Sequence, residues 1–479
     1  MDRAGAAITT MPRKLVVLYP SPGMGHLVSM IELGKIIAAR GLAVTIVVID
    51  LPHNTGASAT GPFLARVSAA NPTISFHRLP HVKLPPVNSN HPEALTFEVA
   101  RVAIPHLRDF LAATSPAVLV ADFFCHVARS VASELGIPVY FFFTSGAEVL
   151  ALCLHLPVLH AQTTANLKDM GGELVHVPGI PSFPATDSMK PILDRDDVAY
   201  TGFVNVCSDL CQSQGILINT FRSLEPRAVE TIVAGRCSPP GLPTPPIYCI
   251  GPLIKLVEVG TKCGDECIAW LDTQPKDSVV FLCFGSLGQF SANQIRKVAA
   301  GLEASGQRFL WVVKSPPSDD PTKKFDRPSE PDLDALLPEG FLDRTKEKGL
   351  VVKSWAPQRD VLMHQAVAVF VTHCGWNSVL ESIMAGVPML AWPLYAEQRV
   401  NKVFLEKELG LALAMDGYDK EVVEAEEVAA KVKWMMDSDG GRVIRERTQA
   451  AMRQANEAMR EGGESEATLA RLVDAWLLA

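Results

Sequence analysis

Several features that would place the protein in a specialised class are missing from its sequence. The 479-residue chain has ten cysteines but no Cys-x-x-Cys pair and no regular cysteine spacing, which argues against a disulfide framework or a metal site. We expect buried free thiols in a reducing compartment instead. Basic blocks and basic–aromatic stripes are also missing, and the net charge is −8, so nucleic acid is not an expected partner.

Long uninterrupted apolar runs are missing as well. The most apolar stretch, residues 137–158, is interrupted by Glu148 and by a Thr144-Ser145-Gly146 turn. This pattern favours a buried strand followed by a buried helix over a membrane span. Residues 1–12 lack the apolar core of a signal peptide. We therefore expect a cytoplasmic protein without a membrane span, and we expect it to be a monomer.

Short apolar runs alternate with helical patterns from the beginning of the chain. Residues 14–19 (KLVVLY) predict a buried strand, residues 26–40 carry apolar residues at helical spacing, and residues 42–49 predict a second strand. A strand, helix, strand unit implies two parallel strands with a right-handed crossover. The same alternation recurs over 117–143 and again from 278 to about 415.

A Pro-rich stretch, residues 236–262, separates the two series of units and predicts an interdomain linker. The chain is also too long for a single core, so two doubly wound α/β domains are expected. We place the first domain at 1–250, the linker at 251–265, the second domain at 266–455 and a C-terminal helix at 456–479. Ligands of such sheets bind beyond the carboxyl ends of the strands, which makes the facing cleft the expected site.

The densest set of informative residues lies in the 355–398 segment. A strand is predicted over 366–371, a turn follows at 372–375, and a helix is expected to open at Asn377 or Ser378. Free backbone N–H groups and the helix dipole make such a turn a natural diphosphate site. The spacing Ser378-x-x-Glu381 also matches a capping box, which needs no ligand. From the residues alone, both interpretations stay open.

The 355–398 segment closely resembles the signature box of the plant secondary-metabolite UDP-glycosyltransferases of family 1, with many positions matching in register. The resemblance extends over nearly the full chain, from the Gly23-Met24-Gly25-His26 turn onward, and leans toward flavonoid and phenol glucosyltransferases. It implies the GT-B fold, an α/β fold in which two Rossmann-like doubly wound domains face a cleft. The N-terminal domain would bind the acceptor, the C-terminal domain would bind the UDP-sugar donor, and residues 456–479 would pack back on the N-terminal domain.

The resemblance assigns donor-binding roles by position. Trp355 is expected to stack on the uracil ring, and Glu381 is expected to accept both ribose hydroxyls. Trp376 and Gln398 match members that use UDP-glucose. Glu397 and Gln398 are expected to bind sugar hydroxyls, and Glu397 replaces the Asp that is commoner at its position. The other expected donor contacts are the backbone of Ala356 at the uracil edge, Gln358 on the ribose side, and His373, Gly375, Asn377, Ser378 and Ser286 at the phosphates.

The turn at 23–26 starts like a dinucleotide fingerprint, but Val28 occupies the third glycine position, so a nicotinamide site is only an alternative. The resemblance makes His26 the general base and Asp122 the residue that fixes its tautomer and stabilises the imidazolium. A helix N-terminus favours the neutral imidazole that can accept a proton. From the residues alone, an ordinary histidine in a first helical turn is the favoured interpretation of His26, and Asp122 can be interpreted as a turn cap.

The implied reaction is a single displacement with inversion, in which glucose moves from UDP-glucose to a hydroxyl of a small apolar phenol such as a flavonoid. No cofactor or metal is expected, because the Asp-x-Asp pairs of the chain lie in acidic loop-like stretches that predict solvated surface. Thr144 and Ser145 are expected near the transferred sugar. The candidate acceptor contacts are His91, Phe123, Phe124 and Phe143.

Four alternatives stay open at this point. C-glycosylation of a phenol would use the same base and donor site. A catalytically inactive UDP-sugar binder is argued against by the intact pair of His26 and Asp122. A nicotinamide-dependent oxidoreductase is argued against by the missing third glycine. An epimerase or hydrolase of nucleotide sugars could use the same fold.

Overall fold

The computed structural model describes residues 13–50, 60–254, 262–318, 320 and 329–478. These residues form two parallel sheets and a short antiparallel hairpin. The strands are, in chain order, β1 Leu15–Tyr19, β2 Ala43–Val48, β3 Ile74–Arg78, β4 Val118–Asp122, β5 Val139–Phe143, β6 Leu174–Val175, β7 Phe183–Pro184, β8 Gly215–Ile218, β9 Ile247–Cys249, β10 Val279–Cys283, β11 Arg308–Val313, β12 Gly349–Lys353, β13 Val367–Thr372, β14 Met389–Ala391 and β15 Ala412–Ala414.

Helices cover the sheets and connect successive strands. In chain order they are α1 Met24–Ala39, α2 Thr60–Ala70, α3 Pro92–Val102, α4 Ile104–Thr114, α5 Ala128–Glu134, α6 Ala147–Gln162, α7 Val198–Cys211, α8 Pro226–Val233, α9 Lys262–Asp272, α10 Ala292–Ser305, α11 Leu333–Leu336, α12 Phe341–Thr345, α13 Gln358–Leu362, α14 Trp376–Ala385, α15 Gln398–Phe404, α16 Ala425–Asp437, α17 Asp439–Met459 and α18 Glu464–Leu478. Helix α15 continues as a π-helical turn over Leu405–Leu409.

The order of the strands defines where each sheet binds ligands. The first sheet has seven parallel strands in the order β3-β2-β1-β4-β5-β8-β9, and the second has six in the order β12-β11-β10-β13-β14-β15. In the first sheet, β2 and β3 lie on one side of β1 and the later strands lie on the other side. In the second sheet, β11 and β12 lie on one side of β10 and β13, β14 and β15 lie on the other. The order of the strands therefore reverses beside β1 and beside β10. Such reversal points open a crevice at the carboxyl ends of the strands, which is where doubly wound folds bind ligands.

The apolar runs of the sequence explain the strands of both sheets. Strands β4, β10 and β13 are buried along their whole length, as expected for parallel strands covered by helices on both faces. The apolar stretch over 137–158 forms β5 and most of α6, with no membrane-like helix in between. In the described part of the chain, no helix is both long and apolar enough to cross a membrane.

The segment between the sheets differs from the predicted linker. Strand β9 lies inside the Pro-rich stretch and pairs with β8 at the edge of the first sheet, so residues up to Cys249 belong to that sheet. Helix α9 begins at Lys262, inside the 251–265 range predicted for the linker. Residues 1–12 and 255–261, on which parts of the predicted terminus and linker fall, lie outside the described residues.

The C-terminal helix α18 packs on the first sheet. Its residues Leu469, Leu472 and Val473 are buried in the same apolar cluster as β1 and β4. The ring of Trp476 lies 5.2 Å from that of Tyr140 on β5, measured between ring centroids. The last element of the chain is therefore part of the N-terminal core. The nine cysteines whose surroundings are described are all buried and free.

Candidate active site

His26 lies in the first turn of α1, just beyond the end of β1. Its Nδ1 is 2.7 Å from Oδ2 of Asp122, the last residue of the neighbouring strand β4. Asp122 is fully buried, and its other oxygen accepts a 3.0 Å hydrogen bond from the backbone N–H of Phe124. Because an ionised carboxylate only accepts hydrogen bonds, Nδ1 carries the proton and Nε2 is left as the proton acceptor.

The pKa of His26 results from opposing influences. Burial lowers the pKa of the imidazole, but the charge and hydrogen bond of Asp122 raise it, and Glu397 and Glu93 raise it further. The net result is a pKa above the ordinary value of 6.5. The helix N-terminus was expected to favour the neutral ring, and here the three carboxylates act in the opposite direction. Thr144 also approaches this group, with its hydroxyl oxygen 3.1 Å from Nδ1.

Aromatic side chains that follow β4 form an apolar wall beside the imidazole. The ring centroid of Phe124 is 5.4 Å and that of Phe123 is 6.1 Å from the centroid of His26. Phe143, at the end of β5, is fully buried and packs 4.7 Å behind Phe123, so it supports the wall. His91 is the N-cap residue of α3, which packs against the turn containing these phenylalanines. An apolar wall next to a base suits a flat aromatic ligand.

Glu93, in the first turn of α3, is a buried carboxyl group that the sequence did not single out. Burial raises its pKa to about 7, and the charges of Glu397 and Asp197 act in the same direction. Its Oε2 has no hydrogen-bond partner among the described residues. A glutamate in a first helical turn is common, so the pattern gave no sign of this environment. Only the packing of α3 against the cleft places it near His26.

The sugar-side residues of the sequence prediction meet between the domains. Ser145 donates a 3.4 Å hydrogen bond to Oε1 of Glu397, which joins the end of β5 to the start of α15. The side-chain oxygen of Gln398 accepts hydrogen bonds of 2.9 Å from the backbone N–H groups of Leu394 and Tyr395. Gln398 thereby fixes the turn that presents Glu397. Burial raises the pKa of Glu397, while the positive charge of His26 lowers it.

The N-terminus of α14 points at the N-terminus of α1 across the cleft. Gly375 is its N-cap residue and no side chain caps it, so the first backbone N–H groups of this helix remain available to an anion. The side chain of Asn377 donates a 3.1 Å hydrogen bond to the carbonyl oxygen of Gly25. The indole of Trp376 is buried and donates a 2.7 Å hydrogen bond to the carbonyl oxygen of Asn219. Both side chains therefore join the two domains.

His373 occupies a narrow space between two glycines. A Cβ atom added to Gly285 or to Gly375 would lie only 2.5 Å from its Nε2, so both positions must be glycine for the ring to fit. Burial, and next the positive charge of Lys314, lower the pKa of His373 to about 3. The imidazole is therefore neutral at pH 7. Ser286, the next residue after Gly285, is exposed at the same edge of the sheet.

The residues expected at the nucleoside form a second group beyond β12. Trp355 is 41% exposed, so part of its side chain is accessible from solvent. The amide of Gln358 donates to Oγ of Ser378 at 2.9 Å and to Oε2 of Glu381 at 2.7 Å. The capping-box interpretation of Ser378 and Glu381 is wrong, because the helix begins two residues before Ser378. Ala356 is buried directly after Trp355.

Two doubly wound parallel-sheet domains that face each other across a cleft define the GT-B class of fold. Residues 259–438 match the family described as UDP-glucoronosyl and UDP-glucosyl transferase. The chain is 43% identical over 476 residues to UDP-glycosyltransferase 1 of Pueraria montana var. lobata, covering 96% of this chain and 98% of that protein. It is 44% identical over 477 residues to a phloretin 2'-O-glucosyltransferase of Malus domestica, and the match covers 96% of this chain and 99% of that protein.

Solved structures agree with the sequence relatives. UGT2 of Phytolacca americana, complexed with UDP-2fluoro-glucose and pterostilbene, matches with a TM-score of 0.84 at 35% identity, covering 97% of this chain and 99% of that chain. The chain belongs to the plant family 1 UDP-glycosyltransferases and has their GT-B fold. The family and fold that the 355–398 segment suggested are confirmed.

Proposed function

We propose that the protein transfers glucose from UDP-glucose to a hydroxyl of a small phenolic acceptor, with inversion at the anomeric carbon. The observation that carries this proposal is the 2.7 Å contact between His26 and Asp122 at the cleft between the domains. Two relatives support the choice of acceptor, since one is named for phloretin and another is bound to pterostilbene, and both compounds are phenols. The aromatic wall of Phe123 and Phe124 offers such a ring an apolar surface next to the base.

The proposed reaction is one displacement step. Nε2 of His26 takes the proton of the acceptor hydroxyl while that oxygen attacks the anomeric carbon of the sugar. The bond from this carbon to the diphosphate oxygen breaks, and UDP leaves from the opposite face with the bonding electron pair. Asp122 stabilises the imidazolium that forms, and the N-terminus of α14 stabilises the negative charge on UDP.

The donor contacts follow from the positions of the side chains. We place uracil on the exposed face of Trp355, and the ribose hydroxyls at Glu381, whose carboxylate Gln358 holds in place. Glucose would lie against Glu397 and the turn that Gln398 fixes. The scheme needs no metal ion, so we expect transfer to continue in the presence of a chelator.

Mass spectrometry of reaction mixtures tests this proposal. The protein is incubated with UDP-glucose, and in parallel with other UDP-sugars, and a panel of phenols. We expect one added hexose, formed fastest from UDP-glucose. His26→Ala should abolish transfer but still bind UDP, whereas His81→Ala, at an exposed position, should keep full activity. Absence of product from every phenol would refute the proposed acceptor class. Undiminished transfer by His26→Ala would refute His26 as the base, and a clear preference for another UDP-sugar would refute UDP-glucose as the donor.

A further inference from the structure

Lys314 is held at the edge of the second sheet where the strand order reverses. It follows β11 directly, and its ammonium group donates a hydrogen bond to the carbonyl oxygen of Gly285, in the loop after β10. The next residue, Ser315, accepts a 2.8 Å hydrogen bond from the side chain of Gln289 in that same loop. The end of β11 and the loop after β10 are thus tied together at two points, which fixes the position of the ammonium group.

The charge of Lys314 is not matched by a carboxylate. Within the described ranges, the hydrogen bond to Gly285 is its polar contact, and no ion pair with an Asp or Glu is formed. Burial lowers the pKa of the ammonium group, since removal from water disfavours the charged form. A partly buried cation without an anionic partner carries a desolvation cost, so binding of an anion beside it would recover part of that cost.

Two groups near Lys314, the imidazole of His373 and the N-terminus of α14, have hydrogen-bonding capacity that the described residues do not use. Nδ1 of His373 is buried without a hydrogen-bond partner among the described residues. This imidazole lies against Gly285, and the charge of Lys314 acts on it. The uncapped N-terminus of α14 lies immediately after His373 in the chain. A neutral imidazole and free backbone N–H groups can donate hydrogen bonds to an anion, but neither brings a full positive charge.

We propose that Lys314 binds the diphosphate of the UDP-sugar and supplies the positive charge that stabilises the departing UDP. This inference rests on the proposed function, because it assumes that a nucleotide sugar is the donor. A helix N-terminus is equivalent to only about half a charge, which is less than a diphosphate carries. The ammonium group at Gly285 supplies a full charge at the same edge of the sheet.

Calorimetric titration with UDP and with uridine tests the proposal. Lys314→Gln removes the charge but keeps an N–H donor for the carbonyl oxygen of Gly285. We expect the Kd for UDP to rise about tenfold or more while the Kd for uridine changes less than about twofold, since the missing interaction is with phosphate. Lys314→Arg should keep most of the affinity for UDP, and its kcat should exceed that of the Gln variant.

Lys353→Met is the matched control, because Lys353 ends the neighbouring strand β12 but is exposed and paired with Glu330. It should leave both dissociation constants unchanged. Equal weakening of UDP and uridine by Lys314→Gln, or unchanged UDP binding, would overturn the assignment of Lys314. Failure of the wild-type protein to bind UDP would instead refute the proposed function itself.

Discussion

At the scale of single residues, three carboxylates act on one imidazole. Asp122 contacts His26 directly, and Glu397 and Glu93 act through their charge. Each raises the pKa of His26, which makes the ring a stronger proton acceptor but also protonates it at a higher pH. With His26 as the proposed base, we expect activity at acidic pH to depend on how these charges balance the effect of burial.

The first prediction concerns the replacement Asp122→Asn. The amide keeps the size of the side chain but removes the charge that raises the pKa of His26. We expect the acidic limb of the pH profile of kcat/KM to move to lower pH, because burial then dominates. We also expect kcat to fall by roughly 10²–10⁴-fold, since the imidazolium and its tautomer lose their support.

A second His–Asp pair in the same domain gives the control. Nδ1 of His126 lies 2.7 Å from Asp209, which also binds Arg129. Asp209→Asn removes a similar interaction without touching His26, so it should leave the acidic limb in place. A profile that shifts equally in both variants, or in neither, would show that Asp122 does not set the pKa of the base.

The second prediction concerns Glu93→Gln. The pKa of Glu93 lies near 7, above its ordinary 4.5, so wild-type stability falls as the pH rises through this window. Relative to the wild type, the free energy of unfolding of the variant should be higher by up to about 3 kcal/mol at pH 8 and should differ little at pH 4. Thermal unfolding midpoints at the two pH values measure this gain. The acidic limb of the rate profile should also move slightly to lower pH, because one charge that raises the pKa of His26 is gone.

Glu98→Gln, on the same helix, controls for the chemical change. Glu98 is less buried than Glu93 and accepts hydrogen bonds from Arg101. If the two variants gained the same stability at pH 8, the result would argue against a buried charge at Glu93.

The sequence revealed some site residues and concealed others. His26 and Asp122 lie at or beyond the ends of recognisable strands, but their expected roles, like those of the residues from Trp355 to Gln398, came from the resemblance to a known family. Glu93 and Lys314 carried no local signal. Their environments arise when distant parts of the chain pack together, which residue spacing does not encode.

At the scale of secondary structure elements, the central strands were predicted to within about two residues. Parallel strands buried on both faces give continuous apolar runs, which is a strong signal. Strand β9 was missed, because it has three residues and directly follows Pro245 and Pro246. Proline is compatible with the start of an edge strand, so the Pro-rich composition looked like a linker although part of it is sheet.

One element contact between the domains leads to the third prediction. Lys402 of α15 forms a buried 2.8 Å ion pair with Asp187, which follows β7, and Tyr418 donates a hydrogen bond to the same carboxylate. Arg399 donates a 2.6 Å hydrogen bond to the carbonyl oxygen of Thr186. These contacts hold helix α15, whose first turn contains Gln398, against the N-terminal domain.

Lys402→Met should destabilise the protein by about 3–5 kcal/mol, because it leaves Asp187 buried without its cationic partner. The double variant Asp187→Asn/Lys402→Met should recover part of this loss. Because the helix carries the turn that we propose binds the sugar, we expect KM for UDP-glucose to rise more than kcat falls. Thermal unfolding and initial-rate kinetics measure both effects, with exposed Lys407→Met as the control. Equal behaviour of Lys402→Met and Lys407→Met would contradict the prediction.

At the scale of the whole molecule, the two sheets present their ligand-binding edges to each other. The contact of Asn377 with Gly25 brings the turn that contains His26, the proposed base, next to the N-terminus of α14 in the other domain. Helix α18 returns from the second domain to the core of the first, where Trp476 is buried against Tyr140. The pattern of strands and helices predicts two domains. Their relative position depends on contacts between residues hundreds of positions apart, which a local pattern does not contain.

The most direct test of the central claim is the structure of the product. UDP-glucose carries an α-linked sugar, so a single displacement with His26 as the base must give a β-glucoside. We predict that proton NMR of the product from UDP-glucose and a phenol shows one β-linked glucose on a phenolic oxygen. An α-linked glucose, or an acceptor recovered without any sugar, would contradict the account.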